Sequence, residues 1–180
     1  FSTKNFGQYR TDSPSQHHVE MIKLILMLTV VFQALATPPQ APEIWAEPIP
    51  YLYENLEEDY LAPVTEYGTG HRGIDFHVEP GQSVTSPASG TVHFVGKVVN
   101  RNLITIKTDS GKLVSFEPVC SSLKPGARVS QGQALGVRCS GDESYEAHCE
   151  SCIHASARDD FGYLSPLHMM GQKSPSVLLS

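Results

Sequence analysis

PGQSVTSPASGTV, residues 80–92, is echoed by PGARVSQGQALG, residues 125–136, and the pair decides the fold. Each copy opens on Pro-Gly, places a valine three residues after that glycine (Val84, Val129) and reaches a second glycine soon after (Gly90, Gly132). Pro-Gly is turn chemistry, and a buried valine just beyond it starts a strand. Glycine at such bends lets tightly wrapped strands approach one another closely. Between and around the copies the chain keeps the same texture. TVHFVGKVV (91–99), NLITIKTD (102–109) and KLVSFEPV (112–119) are β-branched runs separated by Gly, Asn, Asp or Pro. LKPGARVSQGQALGVR (123–138) supplies two further short strands, and no amphipathic helix is legible between residues 67 and 167. Short strands with evenly spaced turns predict an all-β domain. The repeated rhythm narrows it to a barrel-sandwich hybrid, a duplicated hybrid motif of short antiparallel strands. Biotinyl and lipoyl carrier domains share this rhythm, so it does not settle function. A carrier needs a lysine at an exposed hairpin tip, and the corresponding turn, read as Asn100-Arg101-Asn102, has none.

Outward from this core the chain divides by composition. Residues 1–20 are polar and patternless and read as an extension upstream of the native start. MIKLILMLTVVFQALATPPQAP (21–42) has a charged head at Lys23, an apolar run from Leu24 to Phe32 and a small-x-small site at Ala34-Leu35-Ala36. That is the anatomy of a secretory signal peptide over residues 21–36. Its apolar run is short of the ~20 residues needed to span a bilayer. Residues 37–66 read as a proline-rich linker and N-terminal wrap carrying Trp45, residues 67–168 as the β domain, and 169–180 as a tail. The expected location is therefore outside the cytoplasm, secreted or in the cell envelope, with no membrane span once the signal is removed. A net charge of −6 and no basic stripe exclude nucleic acid as a partner. The acidic group Glu54, Glu57, Glu58 and Asp59 reads as a solvated loop.

In an oxidising compartment the four cysteines read as disulfides. Three pairings are open to Cys120, Cys139, Cys149 and Cys152. One closes Cys149 on Cys152 and leaves Cys120 with Cys139.

The chemistry-bearing residues lie in YGTGHRGIDF (67–76) and SCIHASAR (151–158). His71 and Asp75 flank a glycine-rich turn, and imidazole with carboxylate suits Zn²⁺. His154 lies in a predicted inward-facing strand some eighty residues later. Together they form a His₂Asp set with one coordination position left over, as a catalytic zinc requires. Cys152 projects from the same face as His154, because side chains two apart in a strand share a face.

HRGID, the glycine rhythm, the x-x-His strand at 152–154 and the closing YLSPL (163–167) resemble a LytM/lysostaphin-type zinc endopeptidase domain, over roughly residues 45–167. The resemblance implies an all-β fold, a bound Zn²⁺ on His71, Asp75 and His154, and action on the peptide crosslinks of peptidoglycan. It also exposes two departures. Active members carry Tyr-Ala-His-Leu where this chain has Phe116-Glu117-Pro118-Val119, and His-x-His where it has Cys152-Ile153-His154. By this resemblance the base position is occupied by Cys152 and the second histidine position by Pro118. In a regular strand alternation turns Glu117 to the face opposite Pro118, and a bulge at the proline is what would return it to the site. His148 lies in an irregular stretch, His93 reads as a satisfied sheet residue, and His77 and His168 read as surface groups. Two functions follow as expectations: a zinc endopeptidase of reduced activity, or a non-catalytic relative that binds wall peptides or activates another cell-wall hydrolase.

Overall fold

The computed structural model describes residues 16–35, 43–65, 67–139 and 151–171. It falls into two compact units, Phe1–Ala41 and Pro42–Ser180. In the first, α1 runs from Gln16 to Leu35, with Lys23 paired to Glu20 on its exposed side. No helix among the described residues is long and apolar enough to cross a membrane.

Among the described residues the second unit holds eleven strands: β1 (Leu56–Glu58), β2 (Ile74–His77), β3 (Ser83–Thr85), β4 (Gly90–Val98), β5 (Arg101–Thr108), β6 (Leu113–Glu117), β7 (Val119–Cys120), β8 (Arg128–Val129), β9 (Ala134–Arg138), β10 (Cys152–Asp159) and β11 (Gly162–Leu164). A short helix, α2 (Pro166–Met169), closes the unit, its first turn capped by the Ser165 hydroxyl accepting from the His168 N–H. The larger sheet runs β1-β2-β10-β6-β5-β4-β8, with β11 added to β10, and a three-stranded sheet runs β3-β9-β7. All pairings are antiparallel.

The two Pro-Gly copies explain this topology. β3, from the first copy, pairs with β9, which follows the second. β8, from the second copy, pairs with β4, which follows the first. Each copy thus donates its leading strand to the other, which is the duplicated hybrid arrangement expected from the sequence. Gly81 and Gly126 occupy φ of +83° and +88°, the left-handed region that the Pro-Gly turns need. Gly90 packs so closely on β5 that an added Cβ would lie 2.9 Å from Thr108 Cα.

One face of the large sheet makes the core: Ile74 and Phe76, Ile104 and Ile106, Val114 and Phe116, and Ile153 and Ala155 are all buried. Val84, Val119 and Leu135 of the small sheet complete it, and Trp45, Ile49 and Leu52 seal one side. Trp45 donates its backbone N–H to the Met169 carbonyl, 2.9 Å. The wrap therefore starts packing well before residue 67.

Several expectations need correction. The β4–β5 turn is Val99-Asn100, because Arg101 and Asn102 already pair with Val98 and Lys97. The acidic stretch is not a loop throughout: Leu56–Glu58 pairs with β2. His93 does not alternate into a sheet partner; it is exposed at a register shift between Val92 and Phe94.

Candidate metal centre

The site is built on the face of the large sheet opposite its core. In β2 the order Ile-Asp-Phe-His sends Ile74 and Phe76 inward, which leaves Asp75 and His77 on the other face. In β10 Ile153 and Ala155 go inward, leaving Cys152 and His154. The register sets Asp75 directly opposite His154 and His77 opposite Cys152. Residues directly opposite across an antiparallel pair share a face at Cβ separations of about 4.5–5.5 Å. Asp75 Oδ1 and His154 Nδ1 accordingly meet at 2.7 Å.

His71 arrives from outside the sheet. An isolated bridge ties its backbone to Leu61 through two hydrogen bonds of 2.9 Å. Its Nδ1–H donates to the Asp59 carbonyl at 2.9 Å. That bond commits Nδ1 as the protonated nitrogen and leaves the Nε2 lone pair facing the site. His71 Nε2 lies 3.3 Å from Asp75 Oδ1 and 3.2 Å from His154 Nδ1. Gly73, between the two residues of the His71/Asp75 pair, is what lets the turn close. A Cβ there would strike the Ala155 carbonyl and lie 2.5 Å from His154 Cε1.

Three donor atoms, two imidazole nitrogens and one carboxylate oxygen, thus lie within 4.8 Å of one another. Asp75 is 1 % exposed. A carboxylate buried that deeply requires a compensating positive charge or several donors. With His71 Nδ1 already engaged outward, a divalent cation among the three atoms satisfies this requirement. The donor set fits a metal ion of the class that takes nitrogen and oxygen ligands.

The remaining sequence-predicted residues divide sharply. Cys120 and Cys139 form a disulfide joining the ends of β7 and β9. Cys152 is 4 % exposed and also disulfide-bonded, with a partner that lies outside the described residues. Its sulfur carries no proton and cannot act as a base. Cys149 and His148 lie outside the described residues. Pro118 holds its carbonyl toward the Cys139 N–H, 3.3 Å, and offers no side-chain donor or acceptor.

For Glu117 the regular-strand expectation fails and it reaches the site's face. It stands directly opposite His154 across the β6–β10 pair, so it shares the face of the metal set. Register, which alternation within one strand does not fix, decides this. Its Oε1 accepts from Arg101 Nη1 at 2.7 Å, with the Glu117 side chain 12 % exposed. His77 is half-exposed as expected, but it too shares the site's face. Glu57 and Glu79 engage its two ring nitrogens at 3.4 and 3.1 Å. Neither Glu117 nor His77 carried a sequence motif; cross-strand register alone brings them here. His168 is exposed on α2.

Comparison with known proteins agrees with this geometry. An uncharacterized protein of Mycobacterium tuberculosis, Rv2891, is 30% identical over 108 residues, 58% of this chain and 43% of the relative. A Mycobacterium bovis protein, Mb2915, matches to the same extent. This chain therefore spans less than half the length of these relatives. Among solved structures, the catalytic domain of the antimicrobial peptidase lysostaphin from Staphylococcus simulans superposes with a TM-score of 0.56 at 18% identity, covering 68% of this chain and 96% of that one. A chain of the SpoIIQ–SpoIIIAH pore forming complex superposes with a TM-score of 0.54 at 20% identity, covering 72% and 92%. These two establish likeness of fold. The model of peptidase family M23 matches residues 69–161, a stretch that holds all three converging side chains and more than half of the chain. With that match, and with its duplicated β scaffold and His71/Asp75/His154 set, this chain belongs to peptidase family M23.

Proposed function

We propose that this is an exported, zinc-dependent peptidoglycan endopeptidase-type protein whose intrinsic hydrolysis is slow. The observation that carries the proposal is that His71 Nε2, Asp75 Oδ1 and His154 Nδ1 lie 2.7–3.3 Å from one another. These three residues would hold Zn²⁺. When bound, zinc supplies Lewis acidity toward a peptide carbonyl and brings a bound water's pKa to about 7.

The chain's own contribution is orientation. Asp59 holds His71 in the tautomer that presents Nε2. Asp75 places one buried oxygen against both imidazoles. Gly73 admits the His154 ring. What the chain does not supply at Cys152 or Pro118 is a group that moves a proton. A positioned general base contributes about 10²–10⁴-fold. An oxyanion donor contributes about 10²–10³-fold. Loss of both leaves metal binding intact and slows turnover.

A second reading is favoured by the bonded Cys152 sulfur. The same groove then binds wall peptides without cutting them, or activates another hydrolase. That the fold also serves in a chain of a pore forming complex is consistent with such use.

The test is to purify the protein, measure bound zinc, and assay muropeptide release from isolated walls against His154→Ala. Stoichiometric zinc with release above that control supports the endopeptidase. Stoichiometric zinc without it leaves the binding reading. Absence of zinc under all loading conditions overturns the metal site and with it the endopeptidase.

A further inference from the structure

Beside the metal set lies a groove of about 710 Å³ that no step above uses. It starts at Arg72, the residue after His71, and at Ala62, the residue after Leu61, whose backbone bridges His71. It ends at the tip of the β10–β11 hairpin. We propose that this groove binds an uncharged, N-acetylated polysaccharide chain. The proposal rests on the peptidoglycan reading in one respect: such a chain would carry the peptides presented to His71, Asp75 and His154.

Three of the residues lining the groove are aromatic. These are Tyr60, Tyr163 and Phe161, the last at the hairpin tip with 98% of its surface exposed. With Tyr60 and Tyr163 beside it, Phe161 belongs to a cluster of rings in one groove rather than standing as an isolated exposed residue. The turn backbone that carries it is fixed by Asp159 Oδ1, which accepts from the Phe161 and Gly162 N–H groups at 2.8 and 3.1 Å. Tyr163 is steadied by the Arg72 guanidinium, 6.0 Å from its ring centroid. Flat apolar rings matched to the C–H faces of pyranose sugars, with polar groups at their rims, are the chemistry that recognises a carbohydrate.

Charge points the same way. The groove's lining holds two arginines, Arg72 and Arg158, and two aspartates, Asp159 and Asp160, and is formally balanced. A balanced lining does not select a polyanion or an acidic peptide. It offers planar donors and acceptors to hydroxyl and acetamido groups. A peptide would instead be expected to add as a strand along β11. The Tyr163 carbonyl on that strand is already taken by the Tyr60 hydroxyl, 3.0 Å. Volume is also suitable, since 300–1,000 Å³ is the usual range of small-ligand sites, which is about the space of a short oligosaccharide.

The test is calorimetric titration of the full chain with the hexamer of N-acetylglucosamine, and separately with a free stem peptide. Saturable binding of the sugar is expected, weakened about tenfold in Phe161→Ala, the loss of one aromatic stack. Phe161→Trp is expected to retain it, and His154→Ala to leave it unchanged. A wild-type protein that does not bind the hexamer, or a Phe161→Ala protein that binds it equally, overturns the proposal. So does stem-peptide binding that depends on Phe161, which would make the groove a peptide site. None of these readings uses hydrolysis or zinc, so failure of the endopeptidase assay and failure here are separate results.

Discussion

At the scale of single residues the site depends on close approaches that tolerate no extra atom. Gly73 is the sharpest case, because a methyl group there meets both the His154 ring and the Ala155 carbonyl. Gly73→Ala is expected to lower stability by about 1–3 kcal/mol, as overpacking does, and to lose bound zinc. A variant with wild-type melting and stoichiometric zinc would show that the turn can yield. His154→Ala removes one of three donors but leaves Asp75 buried with His71. It is expected to fold and to bind zinc far below stoichiometry, as read by metal analysis after gel filtration. Cys152→Ser discriminates differently. Since the bonded sulfur moves no proton, wall hydrolysis per zinc-loaded molecule should stay within a factor of about two of wild type, against the 10²–10⁴-fold loss typical of a deleted base. A large drop would give Cys152 a catalytic part.

At the scale of elements, two features carry measurable energy. The β4–β5 hairpin turns on Val99, a β-branched residue at φ +58° and 91% exposed. Left-handed backbone at such a residue costs roughly 1–2 kcal/mol. Val99→Gly is expected to raise stability by about 1 kcal/mol in urea unfolding, after allowing for glycine's greater unfolded-state entropy. No change in midpoint would mean that the turn relaxes in solution. The Cys120–Cys139 bridge spans 19 positions and ties β7 to β9. For a loop of that size the chain-entropy estimate is about 3 kcal/mol. A Cys120→Ala/Cys139→Ala double variant should lose about that much, and unchanged stability would count against the bridge as a structural tie.

At the scale of the whole molecule, the metal set joins segments far apart in the chain: His71 beside the wrap, Asp75 in β2 and His154 in β10. A ligand that binds only the folded arrangement stabilises it by mass action, about 2.7 kcal/mol at a hundred times its Kd. Zinc should therefore raise the melting temperature, a chelator should reverse the rise, and His154→Ala should be insensitive to both. Much of this architecture was legible beforehand for a physical reason. Strand and turn chemistry are local, so the Pro-Gly copies and the β-branched runs determine an all-β duplicated fold without reference to distant contacts; that Ile153 and Ala155, not His154, face the core was decided by packing. The His-Asp pair and the later histidine were legible because donor types are written in the residues themselves. Which neighbours face that set was not. Glu117 and His77 reach the site's face through cross-strand register, and register is settled only when all strands bury their apolar sides together. The Cys120–Cys139 pairing, likewise one of three on paper, is fixed by where β7 and β9 end. The sequence alone determined the scaffold and the donor atoms; the tertiary structure decided their company, because only packing brings separate strands into one row.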